Sequence, residues 1–287
     1  SVTFRGCRGA PECHFLTPVR AMRRQGWPNG GMFKAIRVSI LLFILLFVVL
    51  STWLTQARST DWKNSLWVKI YPINADGLPE TARYIERLDV QAFEAIESFM
   101  ATEVQRYGKS LERPVRIELG REIREQPPSF GDQPGVLDVM LWSLKMRWWV
   151  GSVTNDQDRI EPDVSIFVRY YQPEGNPRLE DSVGVQKGMF GIVNGFTGRN
   201  YRGTNNVIIA HELLHTLGAS DKYDPATLMP IAPDGIAEPD RSPLYPQRYA
   251  EIMGGRVPIS ASDAAIPRGL SYARIGPGTA SEIRLRD

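Results

Sequence analysis

Apolar residues fall into two regimes along the chain. Near the start, Val38 to Leu54 reads VSILLFILLFVVLSTWL, seventeen residues without a charge. As a helix it would reach about 25 Å, the short end of a membrane span. Further on, the pattern becomes periodic. Leu66 to Ile73 reads as a first strand, with Pro72 pointing to a sheet edge or a strand end. Between Thr81 and Tyr107, Val90, Phe93, Ile96, Phe99, Met100 and Val104 recur at helical spacing, predicting one long helix stopped by Gly108. Val115, Ile117 and Leu119 alternate, predicting a half-buried strand over 114–120. A second helix is expected from Val136 to Val150, with Leu137, Met140, Leu141, Leu144 and Trp148 as its core-facing side. Val164, Ile166, Val168 and Tyr170 alternate again, and Gly188 to Phe196 reads as a short strand. Residues 126–135 and 172–183 read as loops, Tyr245 to Met253 as a closing helix, and the last thirty residues as loosely ordered.

This order predicts one α+β domain with a mixed twisted sheet and two covering helices, preceded by an N-terminal transmembrane helix. Composition agrees: 43% apolar and 10% aromatic residues exclude a disordered chain. Charge sharpens the topology. Residues 1–37 carry seven Lys/Arg and one acid, a balance of +6, and the whole chain is +2, which leaves −4 for residues 38–287. No basic field for nucleic acid survives. With its positive charges ahead of the apolar run, the N-terminus is expected in the cytoplasm and the domain in the periplasm or outside the cell. Trp53 and Trp62 are candidate anchors at the outer interface.

The expected organisation is a basic tail or over-extended start over 1–37, a transmembrane anchor over 38–57, and an extracytoplasmic domain over 58–287. Met32-Phe-Lys-Ala-Ile-Arg resembles a natural start. Thr55-Gln56-Ala57 offers a signal-peptidase site, and cleavage after Ala57 would secrete the domain. Cys7 and Cys13 both precede the apolar run, so the exported part has no disulfide. Cys7, Cys13 and His14 lack a fourth neighbour for a metal cluster.

The chemistry lies in Asn205-Asn-Val-Ile-Ile-Ala-His-Glu-Leu-Leu-His-Thr-Leu-Gly218. His211 and His215 stand one helical turn apart and can meet one zinc ion. Glu212 sits beside them as general base and then acid, taking a proton from the activated water and delivering it to the leaving amine. Val207, Ile208, Ile209, Leu213, Leu214 and Leu217 make the rest of the helix apolar, so the motif belongs at the floor of a cleft. Thr204 or Asn205 can cap the start and Gly218 can turn the end. The chain has three histidines, and His14 precedes the apolar run. The third protein ligand of a single chain is therefore an acid: Asp221 first, with Asp224, Glu238 and Glu251 as rivals.

His-Glu-x-x-His-x-x-Gly-x-x-Asp over 211–221 resembles the extended zinc motif of the metzincin metallopeptidases, in the aspartate form of the snapalysin-like group. The resemblance covers residues 205–230 and 251–255. It implies a zincin-like fold with a buried active-site helix, one zinc ion per chain, and a methionine turn beneath it, for which Met229 and Met253 are candidates. It also implies that Gly188 to Phe196 is the edge strand that receives an extended peptide, and that Tyr223, Tyr245 or Tyr249 polarises the oxyanion. The expected activity is a membrane-tethered zinc peptidase acting on peptides or proteins outside the cytoplasm. A zinc-stabilised binding or assembly module and a zinc amidase for cell-wall peptides are the alternatives.

Overall fold

The computed structural model describes residues 34–46, 60–129, 136–154, 162–175, 182–185 and 189–286. They fall into two compact units. In the first, residues 34–46 form a helix, α1, exposed along its whole length. No helix among the described residues is long and apolar enough to cross a membrane. Residues 47–54 of the apolar run lie outside the described residues, as do Trp53, the Thr55-Gln56-Ala57 stretch, Cys7, Cys13 and His14.

The second unit is α+β with a mixed sheet. Its elements are β1 (Leu66–Asn74), α2 (Pro79–Glu86), α3 (Glu94–Arg106), β2 (Val115–Leu119), α4 (Val136–Thr154), β3 (Val164–Tyr171), β4 (Val183–Val185), β5 (Phe190–Phe196) and α5 (Arg202–Thr216). The sheet runs β2-β1-β3-β5-β4, with four parallel strands and β4 antiparallel to β5. Parallel neighbours need crossovers. α2 and α3 lie between β1 and β2 and α4 between β2 and β3, whereas β3 and β5 are joined through β4 without an α-helix among the described residues. Residues of α3 and α5 pack with Val68, Ile70, Val164, Ile166 and Val168 on one sheet face. α4 packs on the other face, with Tyr71, Ile73, Phe167, Phe190 and Ile192. Buried on both sides, β3 is apolar almost throughout.

Several expectations are corrected. Pro72 lies inside β1, a central strand, opposite Val168. Its neighbour β2 has ended by then, at Ile70 opposite Leu119, and the Pro72 carbonyl accepts from Ile123 on that side. The missing N–H therefore points where no ladder bond is owed. The helix expected over 81–107 is broken after α2. Asp89 accepts from the Ala92 amide and starts a 3₁₀ turn, Val90–Phe93, that leads into α3. β5 is flanked by β3 and β4, so the sheet edge belongs to β4, in a stretch whose polar surroundings read as loop.

α4 forms where expected but with the opposite face inward. Met146, Trp149 and Val153 are buried, with the Trp149 ring 4.8 Å from that of Phe167. Met140, Leu141, Leu144 and Trp148 face outward. The helix is apolar on both sides, so periodicity alone could not choose between them.

No helix covers Tyr245 to Met253. The Gln247 amide donates to Pro258, and β6 (Ala250–Glu251) pairs with β9 (Ala273–Arg274), while β7 (Val257–Pro258) pairs with β8 (Ala264–Ala265). The C-terminal stretch is ordered and packed. α6 (Pro277–Glu282) follows β9, and Ile275, Ala280, Ile283 and Leu285 are buried. Trp62 donates its indole N–H to the Ile283 carbonyl at 2.8 Å and is itself buried, which removes it as an interface anchor.

Candidate metal centre

α5 carries the two histidines, and its placement is fixed from both sides. Asn205 donates to the Phe196 carbonyl and accepts from the Phe196 amide, joining the helix to the end of β5. Asn206 donates to the Ala92 carbonyl, joining it to the 3₁₀ turn. Both asparagines are internal to α5, so neither Asn205 nor Thr204 is its cap; the helix starts from a 3₁₀ turn, Arg199–Tyr201. A Cβ on Gly203 would stand 2.1 Å from the Arg268 carbonyl, so only glycine fits there. Val207, Ile209, Leu213, Leu214 and Leu217 are buried, as the apolar pattern predicted.

Gly218 ends the helix with φ +107, and the Ala219 amide donates back to the Leu214 carbonyl. That turn brings the Ala219 carbonyl to 2.8 Å from His215 Nδ1. The Ile252 carbonyl stands 2.9 Å from His211 Nδ1. A carbonyl can only accept, so both Nδ1 atoms carry the hydrogen. Each neutral ring then presents Nε2 as a lone pair, the form that binds a metal. Asp221 Oδ1 lies 3.1 Å from both Nε2 atoms.

Three acceptor atoms thus converge with no hydrogen among them while the rings are neutral. Only a cation reconciles them, either a proton or a metal. Ligands at zinc bond lengths of about 2.0–2.2 Å stand about 3.3–3.5 Å apart in a tetrahedron, close to the separation seen. His211, His215 and Asp221 offer atoms within 4.8 Å of one another, so the donor set fits a zinc ion with room for a fourth ligand. The pair of rings and the carboxylate also perturb each other. Burial raises the Asp221 carboxyl, but hydrogen bonds and charge from His211 and His215 outweigh it and hold it far below the carboxylate range. Burial lowers His215, and the hydrogen bond to Asp221 with the charge of Glu212 more than reverses it. The Asp221 side chain keeps 45% of its surface exposed, so the centre opens to solvent. Glu212 is buried on the same helix, beside His211.

The rivals of Asp221 are occupied elsewhere. Asp224 accepts from the Ala226 and Thr227 amides in a turn. Glu238 is tied to Arg248 and Arg241. Glu251 is fully buried and accepts four hydrogen bonds, from the Met253, Gly254 and Gly276 amides and the Thr279 hydroxyl. Burial raises its carboxyl, against those hydrogen bonds. It holds the turn that contains Ile252, and so sets the carbonyl that orients His211.

Of the two methionine candidates, Met253 is fully buried in that same turn, and its carbonyl accepts from the Lys222 amide next to Asp221. Met229 is half-buried in the Asp224–Pro230 turn. The Tyr223 ring lies 6.4 Å from that of His211, whereas Tyr249 is covered by the Arg274 guanidinium. A further support has no sequence signature. Glu282 of α6 accepts from the Ser220 amide and hydroxyl and from Lys222 Nζ at 2.7 Å, bracing Asp221 from both sides. Lys222 and Glu282 are sixty residues apart, so no local pattern announces the pair.

The chain matches no known protein family and no curated protein.

Proposed function

We propose that the chain is a zinc-dependent peptidase of zincin-like, metzincin-type architecture, held at a membrane by residues 38–54 with its domain outside the cytoplasm. The observation that carries this reading is the convergence of two imidazole Nε2 atoms and one carboxylate oxygen, with both Nδ1–H groups committed to carbonyls. A structural site closed by four protein ligands would leave Glu212 without a task. The edge strand β4 packs near α5 and supports an extended peptide added to the sheet beside the centre.

His211, His215 and Asp221 would hold the zinc, with Ile252 and Ala219 fixing the rings. Bound there, zinc makes a water acidic enough to ionise near neutral pH and polarises a carbonyl. Glu212 takes the proton of the attacking water and passes it to the leaving nitrogen. Tyr223 stands beside His211, where its hydroxyl can donate to the developing oxyanion. On this reading Met253, buried in the turn that follows Glu251, would supply the methionine beneath the centre, and the open side at Asp221 would admit substrate.

Metal analysis and cleavage of a fluorogenic peptide library by the full chain in detergent test the proposal together. One zinc per wild-type chain is expected, lost in His211→Ala and in Asp221→Ala. Glu212→Gln should keep zinc and lose cleavage. Folded wild-type protein without zinc, or full cleavage by Glu212→Gln, would sink the reading.

A further inference from the structure

The outward face of α4 has no part in the metal centre. Met140, Leu141, Leu144 and Trp148 are 63%, 57%, 69% and 77% exposed. Residues 140, 144 and 148 rise along one line of the helix, with 141 beside them, so the four make a continuous apolar stripe. The opposite face is already buried against Tyr71, Phe167, Phe190 and Ile192. Exposed apolar stripes of this size are uncommon on soluble surfaces and mark a partner phase.

Charge at the borders narrows the partner. Lys145 lies along one side of the stripe, with Asp138 two turns before it, and Arg147 along the other, all three exposed. Anionic lipid headgroups would meet both cations, while Leu144 and Trp148 entered the acyl boundary; long basic side chains and tryptophan suit that depth. The same chain carries the charge-free run 38–54 behind a basic segment, and only residues 55–59 separate that run from Thr60, so a bilayer is the apolar phase this domain meets.

We propose that α4 is an in-plane membrane-docking helix, seating its Met140–Leu144–Trp148 stripe in an anionic bilayer surface. This rests on the reading of residues 38–54 as a membrane anchor, and the experiment separates the two. The full chain, with Cys7→Ser and Cys13→Ser, is reconstituted in vesicles of equimolar phosphatidylcholine and phosphatidylglycerol. Nitroxide labels are placed one at a time through Leu144→Cys, Leu45→Cys and Ala95→Cys, the last exposed on α3 across the sheet. Collision rates with oxygen and with a water-soluble nickel chelate report depth. The expected result is a label at 144 shifted to oxygen and lost to nickel, as at 45, while the label at 95 stays open to nickel. Adding Lys145→Glu and Arg147→Glu should return the label at 144 to nickel without moving the one at 45. Nickel access at 144 with lipid at 45 overturns the docking helix alone. Nickel access at 45 overturns the anchor and the docking inference with it. A label at 144 shielded from both reagents assigns the stripe to a protein partner and overturns the inference as well.

Discussion

The two halves of the candidate centre are built by different means. His211 and His215 belong to α5, where helical repeat sets their spacing and a single turn aligns them. Asp221 belongs to a coil whose position depends on distant acids. Glu251 fixes the Ile252–Gly254 turn, and Glu282 grips Ser220 and Lys222. The spacing of the histidines is local, although the Ile252 carbonyl orients His211 from 41 residues away, whereas the place of Asp221 rests on distant contacts throughout. A local site survives loosening of the fold around it, whereas a long-range one fails as soon as its supports go.

That contrast can be broken in order of expected effect. Glu212→Gln attacks the local half's chemistry and should cut peptide hydrolysis by about 100- to 10,000-fold with zinc content unchanged, read by steady-state kinetics beside metal analysis. Glu251→Ala attacks the long-range half. It strands three buried amides, each worth about 1–3 kcal/mol, and should lower stability by at least about 3 kcal/mol in urea unfolding. Glu282→Ala should leave the fold intact and weaken zinc by about 10- to 100-fold, as loss of an outer support does, in a competition assay with a chromogenic chelator.

A smaller effect sharpens the role of Glu251 through pH. Its folded pKa is raised above the usual 4.5, chiefly by burial. The folded chain then holds a proton that the unfolded chain has released, so stability falls as pH climbs from 4.5 through the raised value and levels off above it. Unfolding midpoints across that window should show this downward slope in the wild type and lose it in Glu251→Ala. Arg83→Ala, which removes an exposed ion pair with Glu80 far from either half, should change stability by less than about 0.5 kcal/mol.

How much the sequence revealed follows the same division. The helix of the two histidines, its Gly218 terminus and the approach of Asp221 to both rings were legible, because spacing of a few residues decides them. The alternating strands were legible for the same reason. Glu251 as a buried hub was not, since its partners Gly276 and Thr279 lie 25 and 28 residues away. Nor was the packing of the C-terminal stretch, whose Gly, Pro and Ser content hides six buried apolar side chains, among them Leu270, Ile275, Ile283 and Leu285. α4 shows a third kind of limit. Two apolar faces compete on one helix, and the aromatic surface of Tyr71 and Phe167 selects the one with Trp149. The edge strand β4 is three residues long and carries too little pattern to be read at all.

The grip of Glu282 on Ser220 also gives the molecule a clock. Sixty-two residues separate them. A chain made at about 5–20 residues per second leaves roughly 3–12 s between synthesis of the ligand loop and synthesis of its brace. During that interval the histidines are present but the aspartate is unbraced. A chain cut short before Glu282 keeps an unbraced Asp221 for good, so on the proposed reading metal capture would wait for the distal end of the domain.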